Sequence, residues 1–178
     1  MFKDKILELF TESYKDSKSD SFCYMLYLDS KNEKPFIDMQ KQFDLKGDLT
    51  EKGKFHTTVR YVKTKKSPDM LVGWLKAQED QLPSPIGKTK SFGIYGKDED
   101  ALVVEVGGKE LHDWFKVVDD FLTDNDFPPS DFPDYKPHIT LTYEKGIEKP
   151  EWKSEYEMEV TFNIHVVTDT NYDEVWRY

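Results

Sequence analysis

The chain has 178 residues, enough for one domain or two small fused lobes around a real core. Its formal net charge of −10 disfavours non-specific binding to long DNA or RNA, which draws its affinity from Lys and Arg neutralising many phosphates. The single cysteine, Cys23, excludes an internal disulfide and a multi-cysteine metal site and points to a reducing, cytoplasmic setting. The first ten residues, M-F-K-D-K-I-L-E-L-F, mix acids and bases and read as an amphipathic helix rather than a signal peptide, and no segment is apolar for long enough to span a bilayer.

In chain order, residues 2–14 are expected as that helix and residues 15–20 as a polar joint. The run S-F-C-Y-M-L-Y-L-D, residues 21–29, reads as a buried strand. A short helix over residues 35–43 follows, with Ser30 or Asn32 available to start it, then a turn at Gly47 and a strand over residues 55–61. Ser67-Pro68-Asp69 opens a helix running through Trp74 to about residue 81, ended by Pro83 and Pro85. Helical spacing with Leu71 and Leu75 turns Trp74 inward.

The second half repeats this order. Strands S-F-G-I-Y-G and A-L-V-V-E-V, joined at residues 96–100, lead through Gly107-Gly108 into a helix over residues 109–123. A proline-rich loop, residues 127–137, delivers another strand, and residues 155–168 and 174–178 alternate as strands that close one of the lobes. The repetition of strand, helix and strand reads as a degenerate internal duplication. It divides the chain into a first lobe at residues 21–82, a second at residues 86–178, and an N-terminal helix and joint at residues 1–20.

The two strands that end each half are near copies: F-H-T-T-V-R-Y, residues 55–61, and P-H-I-T-L-T-Y, residues 137–143. Side chains two apart on a strand share a face, so His56 points with Thr58 and His138 with Thr140. Phe55, Val59 and Tyr61, and Ile139, Leu141 and Tyr143, are left for the core. An imidazole exchanges protons near neutral pH and a hydroxyl hydrogen-bonds an anionic oxygen, so two such pairs facing one cleft make a metal-free site for cleaving phosphoesters. Arg60 and Thr142 on these strands, and Tyr135 and Lys136 at the entry to the second, are candidate substrate contacts. Lys54, Lys63, Lys65 and Lys66 add positive charge around the first motif. His112 reads as a helix-surface residue and His165 as structural. A zinc or two-metal site lacks its motifs, H-E-x-x-H or C-x-x-C, and a serine triad lacks a G-x-S-x-G elbow.

Together F-H-T-T-V-R-Y and K-P-H-I-T-L-T-Y resemble the duplicated H-x-T/S motifs of the 2H phosphoesterase superfamily, which includes the LigT-like cyclic phosphodiesterases. The resemblance extends from about residue 21 onward and is most specific over D-F-P-D-Y-K-P-H-I-T-L-T-Y. It implies an α+β, bilobed fold in which two pseudo-symmetric antiparallel sheets with outer helices line a central cleft. It also implies an acid/base pair in His56 and His138, phosphate-oxygen binders in Thr58 and Thr140, and no metal or cofactor.

Small, acidic, cytosolic members of the superfamily include phage-encoded anti-CBASS phosphodiesterases, which destroy cyclic di- and trinucleotide signals of bacterial anti-phage defence. The size, build and 15% aromatic content resemble that group, since base stacking needs only a π-face. A small nucleotide substrate, a monomer and a cytoplasmic location are expected, the host cytosol if the chain is phage-encoded. Two alternatives stay open: hydrolysis of 2′,3′-cyclic phosphates or 2′,5′-linked oligonucleotides at RNA ends, and a non-catalytic nucleotide-binding module. Neither the acid nor the base can be assigned from two such similar motifs.

Overall fold

The computed structural model describes residues 21–132, 134–169, 171 and 173–178. The helix expected over residues 2–14 lies outside the described residues. The elements are β1 (Ser21–Leu28), α1 (Lys34–Gln42), β2 (Asp48–Leu49), β3 (His56–Lys63), α2 (Asp69–Ala77), β4 (Ile86–Tyr95), β5 (Ala101–Gly107), α3 (Lys109–Asp124), β6 (His138–Tyr143), β7 (Glu159–Thr168) and β8 (Glu174–Arg177). No helix among the described residues is long and apolar enough to cross a membrane.

Local chemistry explains the boundaries. α1 carries a proline in its first turn, where a missing amide hydrogen costs nothing. Its cap position belongs to Glu33, one residue past the expected Asn32, and the Glu33 carboxylate accepts the Gly53 amide instead of capping. α2 stops at Ala77 and a 3₁₀ turn, Glu79–Gln81, completes the length expected for it. Trp74 stacks on Trp114 and Phe121, as its helical spacing required. α3 buries Leu111, Trp114, Val118 and Leu122, one stripe at three- and four-residue intervals, across the backs of β3 and β4.

Every strand pairing is antiparallel, in the order β2-β6-β5-β4-β7-β1-β3, with β8 on the free side of part of β7. β1 is buried along its whole length because it sits between β3 and β7, which is why it reads as an unbroken apolar run. β7 departs from the expected lobe boundaries. Its first residues, Glu159, Val160 and Thr161, pair with β4, while Phe162 and later residues pair with β1 and β8. The C-terminal strands therefore join the two sheets instead of closing one of them. The sheet also curls until its two distant members, β3 and β6, lie side by side: the His138 amide donates to the Thr57 hydroxyl at 3.3 Å. Those are the two motif strands.

Candidate active site

β3 and β6 share an irregularity that decides where each side chain points. Met25 pairs with Thr58 and Tyr24 with Arg60, so Val59 is an extra residue; Val103 pairs with Thr140 and Leu102 with Thr142, so Leu141 is extra. A one-residue bulge thus follows the motif threonine in both strands, and it reverses the face of what comes next. Thr58, His138 and Thr140 line the cleft, with the His56 ring close enough to feel the charge of His138, while Phe55, Val59, Ile139 and Leu141 join the main core.

Beyond the bulge, four expectations change. Tyr61 and Tyr143 leave the main core and pack in two small clusters on the cleft side, Tyr61 with Cys23, Met25 and Tyr27, Tyr143 with Ala101 and Val103. Arg60 turns to the opposite side and is 2% exposed. Its guanidinium donates to Asp119 at 2.7 Å and to the carbonyls of Tyr61 and Pro128, so it braces β3 against α3 while part of the residue still lines the cavity. Thr142 is fully buried and its hydroxyl donates to the Asp48 carbonyl, tying β6 to β2 and pointing away from the cleft expected for it. Behind the second bulge, Gln40 Nε2 and the Thr50 amide both donate to the Leu141 carbonyl.

The two histidines are held alike. His56 Nδ1 lies 2.8 Å from the Lys54 carbonyl and His138 Nδ1 lies 2.8 Å from the Lys136 carbonyl. A carbonyl only accepts, so each Nδ1 carries the proton, and each neutral ring offers an unprotonated Nε2. Each ring meets a tyrosine: Tyr27 stacks on His56 at 4.9 Å and Tyr95 meets His138 edge-on at 4.7 Å. Tyr95 reaches over because Gly93 lies beneath it; a Cβ there would stand 2.8 Å from the Tyr95 ring.

Burial lowers the pKa of His56 to about 4; the Lys54 carbonyl opposes this, and the charges of His138 and Lys54 add to it. Burial also lowers the pKa of His138, but there both the Lys136 carbonyl and the Glu105 carboxylate oppose it. Glu105, on β5, pairs directly with His138. Burial resists its ionisation, yet hydrogen bonds from Ser91 and Tyr95 and the charges of Lys90 and Lys136 hold its carboxyl below the usual value. A charged residue inside A-L-V-V-E-V was the sequence signal for this position.

A cavity of about 390 Å³ opens from Thr58, Thr140 and His138 toward the second sheet. Its outer wall includes Tyr95, Lys97, Phe132, Tyr135 and Lys136, with Phe132 61% exposed. Lys136 is exposed at the rim. Tyr135 does not overhang freely: its ring stacks on Phe115 at 4.4 Å and meets His112 edge-on, with its hydroxyl buried beside Thr57. It is part of the packing between loop and helix as well as of the cavity wall.

Of the lysines around the first motif, Lys54 pairs with Glu174, Lys63 with Asp131, and Lys66 donates to the Asn125 and Asp126 carbonyls, so these three fasten neighbouring segments. His165 is structural: Trp114 Nε1 donates to the Tyr24 hydroxyl, that hydroxyl donates to His165 Nδ1 at 2.5 Å, and His165 Nε2 donates to the Pro83 carbonyl. No cluster of three or more His, Cys, Asp or Glu side chains suited to a metal occurs among the described residues.

This architecture is that of the 2H phosphoesterases. The Thermus thermophilus protein TT0787 superposes with a TM-score of 0.65 at 14% identity, over 89% of this chain and 96% of that one. E. coli LigT complexed with 3′-AMP superposes with a TM-score of 0.61 at 14% identity, over 90% and 97%. LigT complexed with ATP gives 0.56 at 12% identity, over 90% and 97%. No curated protein matches the sequence. The family described as anti-CBASS protein Acb1 matches residues 23–176, nearly all of the chain, and the chain belongs to that family.

Proposed function

We propose that the protein is a metal-independent phosphodiesterase that cleaves cyclic di- or trinucleotide signals of bacterial anti-phage defence. The observation that carries the proposal is the paired site: two imidazoles, each held through Nδ1 by a backbone carbonyl so that Nε2 is the working nitrogen, with His138, Thr58 and Thr140 lining one cavity and His56 close enough to feel the charge of His138. One Nε2 takes the proton from the attacking hydroxyl, a water or a ribose 2′-OH, as its oxygen bonds to phosphorus. The other histidine, protonated, gives its proton to the departing ribose oxygen as the phosphorus–oxygen bond breaks. Thr58 and Thr140 donate to the non-bridging oxygens as charge gathers there. Each proton transfer contributes roughly 10²–10⁴-fold and each hydroxyl donor roughly 10²–10³-fold. Family membership supports the class of substrate, and a cavity lined by Tyr95 and Phe132 suits a nucleobase.

The test is a panel of cyclic dinucleotides, cyclic trinucleotides, 2′,3′-cyclic mononucleotides and 2′,5′-linked oligoadenylate, incubated with EDTA and identified by mass. Cleavage of a cyclic oligonucleotide is the expected result. Turnover lost in EDTA and restored by Mn²⁺ or Zn²⁺ overturns the mechanism, and exclusive action on a 2′,3′-cyclic or 2′,5′ linkage overturns the substrate.

A further inference from the structure

The two halves of the site share the motif, the bulge and the carbonyl that holds each imidazole, but they differ directly across the sheet from each histidine. Tyr27 on β1 pairs with His56, and Glu105 on β5 pairs with His138. Corresponding backbone sites thus carry a neutral ring in one sheet and a carboxylate in the other. We propose that Glu105 is a positioning residue that makes His138 the general acid and leaves His56 as the general base. This assignment rests on the phosphodiesterase reading above.

The surroundings of each ring support this assignment. Around His56 stand Tyr27 from β1, Lys54 from the preceding loop, and His138 from β6. A carboxylate on that side, Glu174, is engaged by Arg177 at 2.9 Å and by Lys54 at 3.8 Å, and Arg177 lies over the Tyr27 ring at 5.2 Å. Around His138 stand Tyr95 from β4, Glu105 from β5, Tyr143 from its own strand, Lys136 and Tyr135 from the loop, and His56 from β3. Glu105 accepts from two neutral hydroxyls, Ser91 at 2.5 Å and Tyr95 at 2.7 Å. Neutral donors fix a carboxylate in its charged form without cancelling its field. His138 Nδ1 is already committed to Lys136, so Glu105 acts through its charge and not through a hydrogen bond to the ring. A lysine supplies each ring's carbonyl partner, Lys54 at His56 and Lys136 at His138, and Lys90 and Lys136 also act on Glu105. What separates the two rings is therefore the carboxylate directly across from His138, which splits them in the order catalysis wants: the base loses its proton first. In the step itself His56 Nε2 accepts the nucleophile's proton, the phosphorus–oxygen bond to the nucleophile forms, the bond to the leaving oxygen breaks, and His138 Nε2–H protonates that oxygen.

Two measurements test this. NMR titration of the imidazoles in wild type and Glu105→Gln reads the charge directly and needs no activity, so it fails independently of the phosphodiesterase reading. The His138 midpoint is expected to fall while that of His56 holds; an unmoved His138, or equal movement of both, overturns the proposal. Ser91→Ala, which removes one donor from the carboxylate, is the second variant if Glu105→Gln does not fold, with a smaller shift of the same sign. The second measurement compares the cyclic dinucleotide with thymidine 5′-(4-nitrophenyl) phosphate, whose leaving group departs without a proton. His138→Ala is expected to lose at least tenfold less on the nitrophenyl ester than on the cyclic dinucleotide, while His56→Ala loses similarly on both. Equal losses for His138→Ala on the two substrates, or the tolerance appearing in His56→Ala, overturns the assignment.

Discussion

β3 and β6 carry the same motif and the same bulge, yet behind the bulge they differ completely. β3 turns Arg60 back to bind Asp119 and the Pro128 carbonyl, whereas β6 turns back Thr142, which reaches only the Asp48 carbonyl. One strand is braced by a buried charge against α3 and the loop after it, the other by neutral hydrogen bonds to a two-residue edge strand. A duplicated site can therefore keep its chemistry in register while each copy finds its own support. What is repeated is the histidine, the threonine and the bulge; what has diverged is the support behind them and the residue across the sheet from each histidine.

The largest break in that equivalence comes from the histidines themselves. His56→Ala or His138→Ala should each lower kcat/KM on a cyclic dinucleotide by roughly 10²–10⁴-fold, and the double variant should lose little more, because the pair acts as one unit. Melting temperatures should hold, since both rings are only half-buried at the cleft surface. Additive losses in steady-state kinetics would show two independent sites instead.

Next in size is the cost of removing the two supports. Arg60→Ala discards an ion pair and two further hydrogen bonds inside the protein and should cost about 3 kcal/mol in urea unfolding, whereas Thr142→Val should cost about 1 kcal/mol. Equal costs would erase the distinction between the strands. A third comparison separates the aromatic residues of the cavity. Phe132→Ala should weaken substrate binding by the roughly 1–3 kcal/mol of one stacked base without lowering the melting temperature. Tyr135→Ala should lower that temperature, because its ring packs on Phe115.

The smallest effect is on pH dependence. A neutral base and a charged acid give kcat/KM a bell shape, but burial moves both limbs down, the acid limb to near pH 4 and the alkaline limb below 6.5, rather than one on either side of 6.5. His56, His138 and His165 all have folded values below their unfolded ones. The unfolded chain thus takes up protons first, so their contribution to stability is complete above pH 6.5 and is lost as the pH falls toward the folded values. Melting temperatures measured from pH 8 to 4 should be level and then decline, and a decline that begins only below pH 4 would contradict the buried neutral rings.

The paired motifs were legible because period-two alternation holds from Phe55 to Thr58 and from Pro137 to Thr140. It fails one residue later, where nothing about Val59 or Leu141 as residue types announces a bulge, and so Arg60, Thr142, Tyr61 and Tyr143 point opposite to expectation. Glu105 was visible as the one charge in an apolar strand, but its partner across the sheet depends on a register no single strand encodes. The sharing of β7 was hidden for the same reason: pairing is non-local, and alternation within one strand does not say how many sheets it serves.

That shared strand sets the mechanics of the cleft. β7 passes from one sheet into the other through continuous chain and ladder hydrogen bonds, and so ties together the sheets that carry the two histidines. Their spacing is built at folding and not at each turnover, like the fixed jaws of a gauge rather than the moving jaws of a vice. Catalysis by such a site should be indifferent to solvent viscosity unless product release is slow, and anything that breaks the middle of β7 should uncouple the histidines without touching either one.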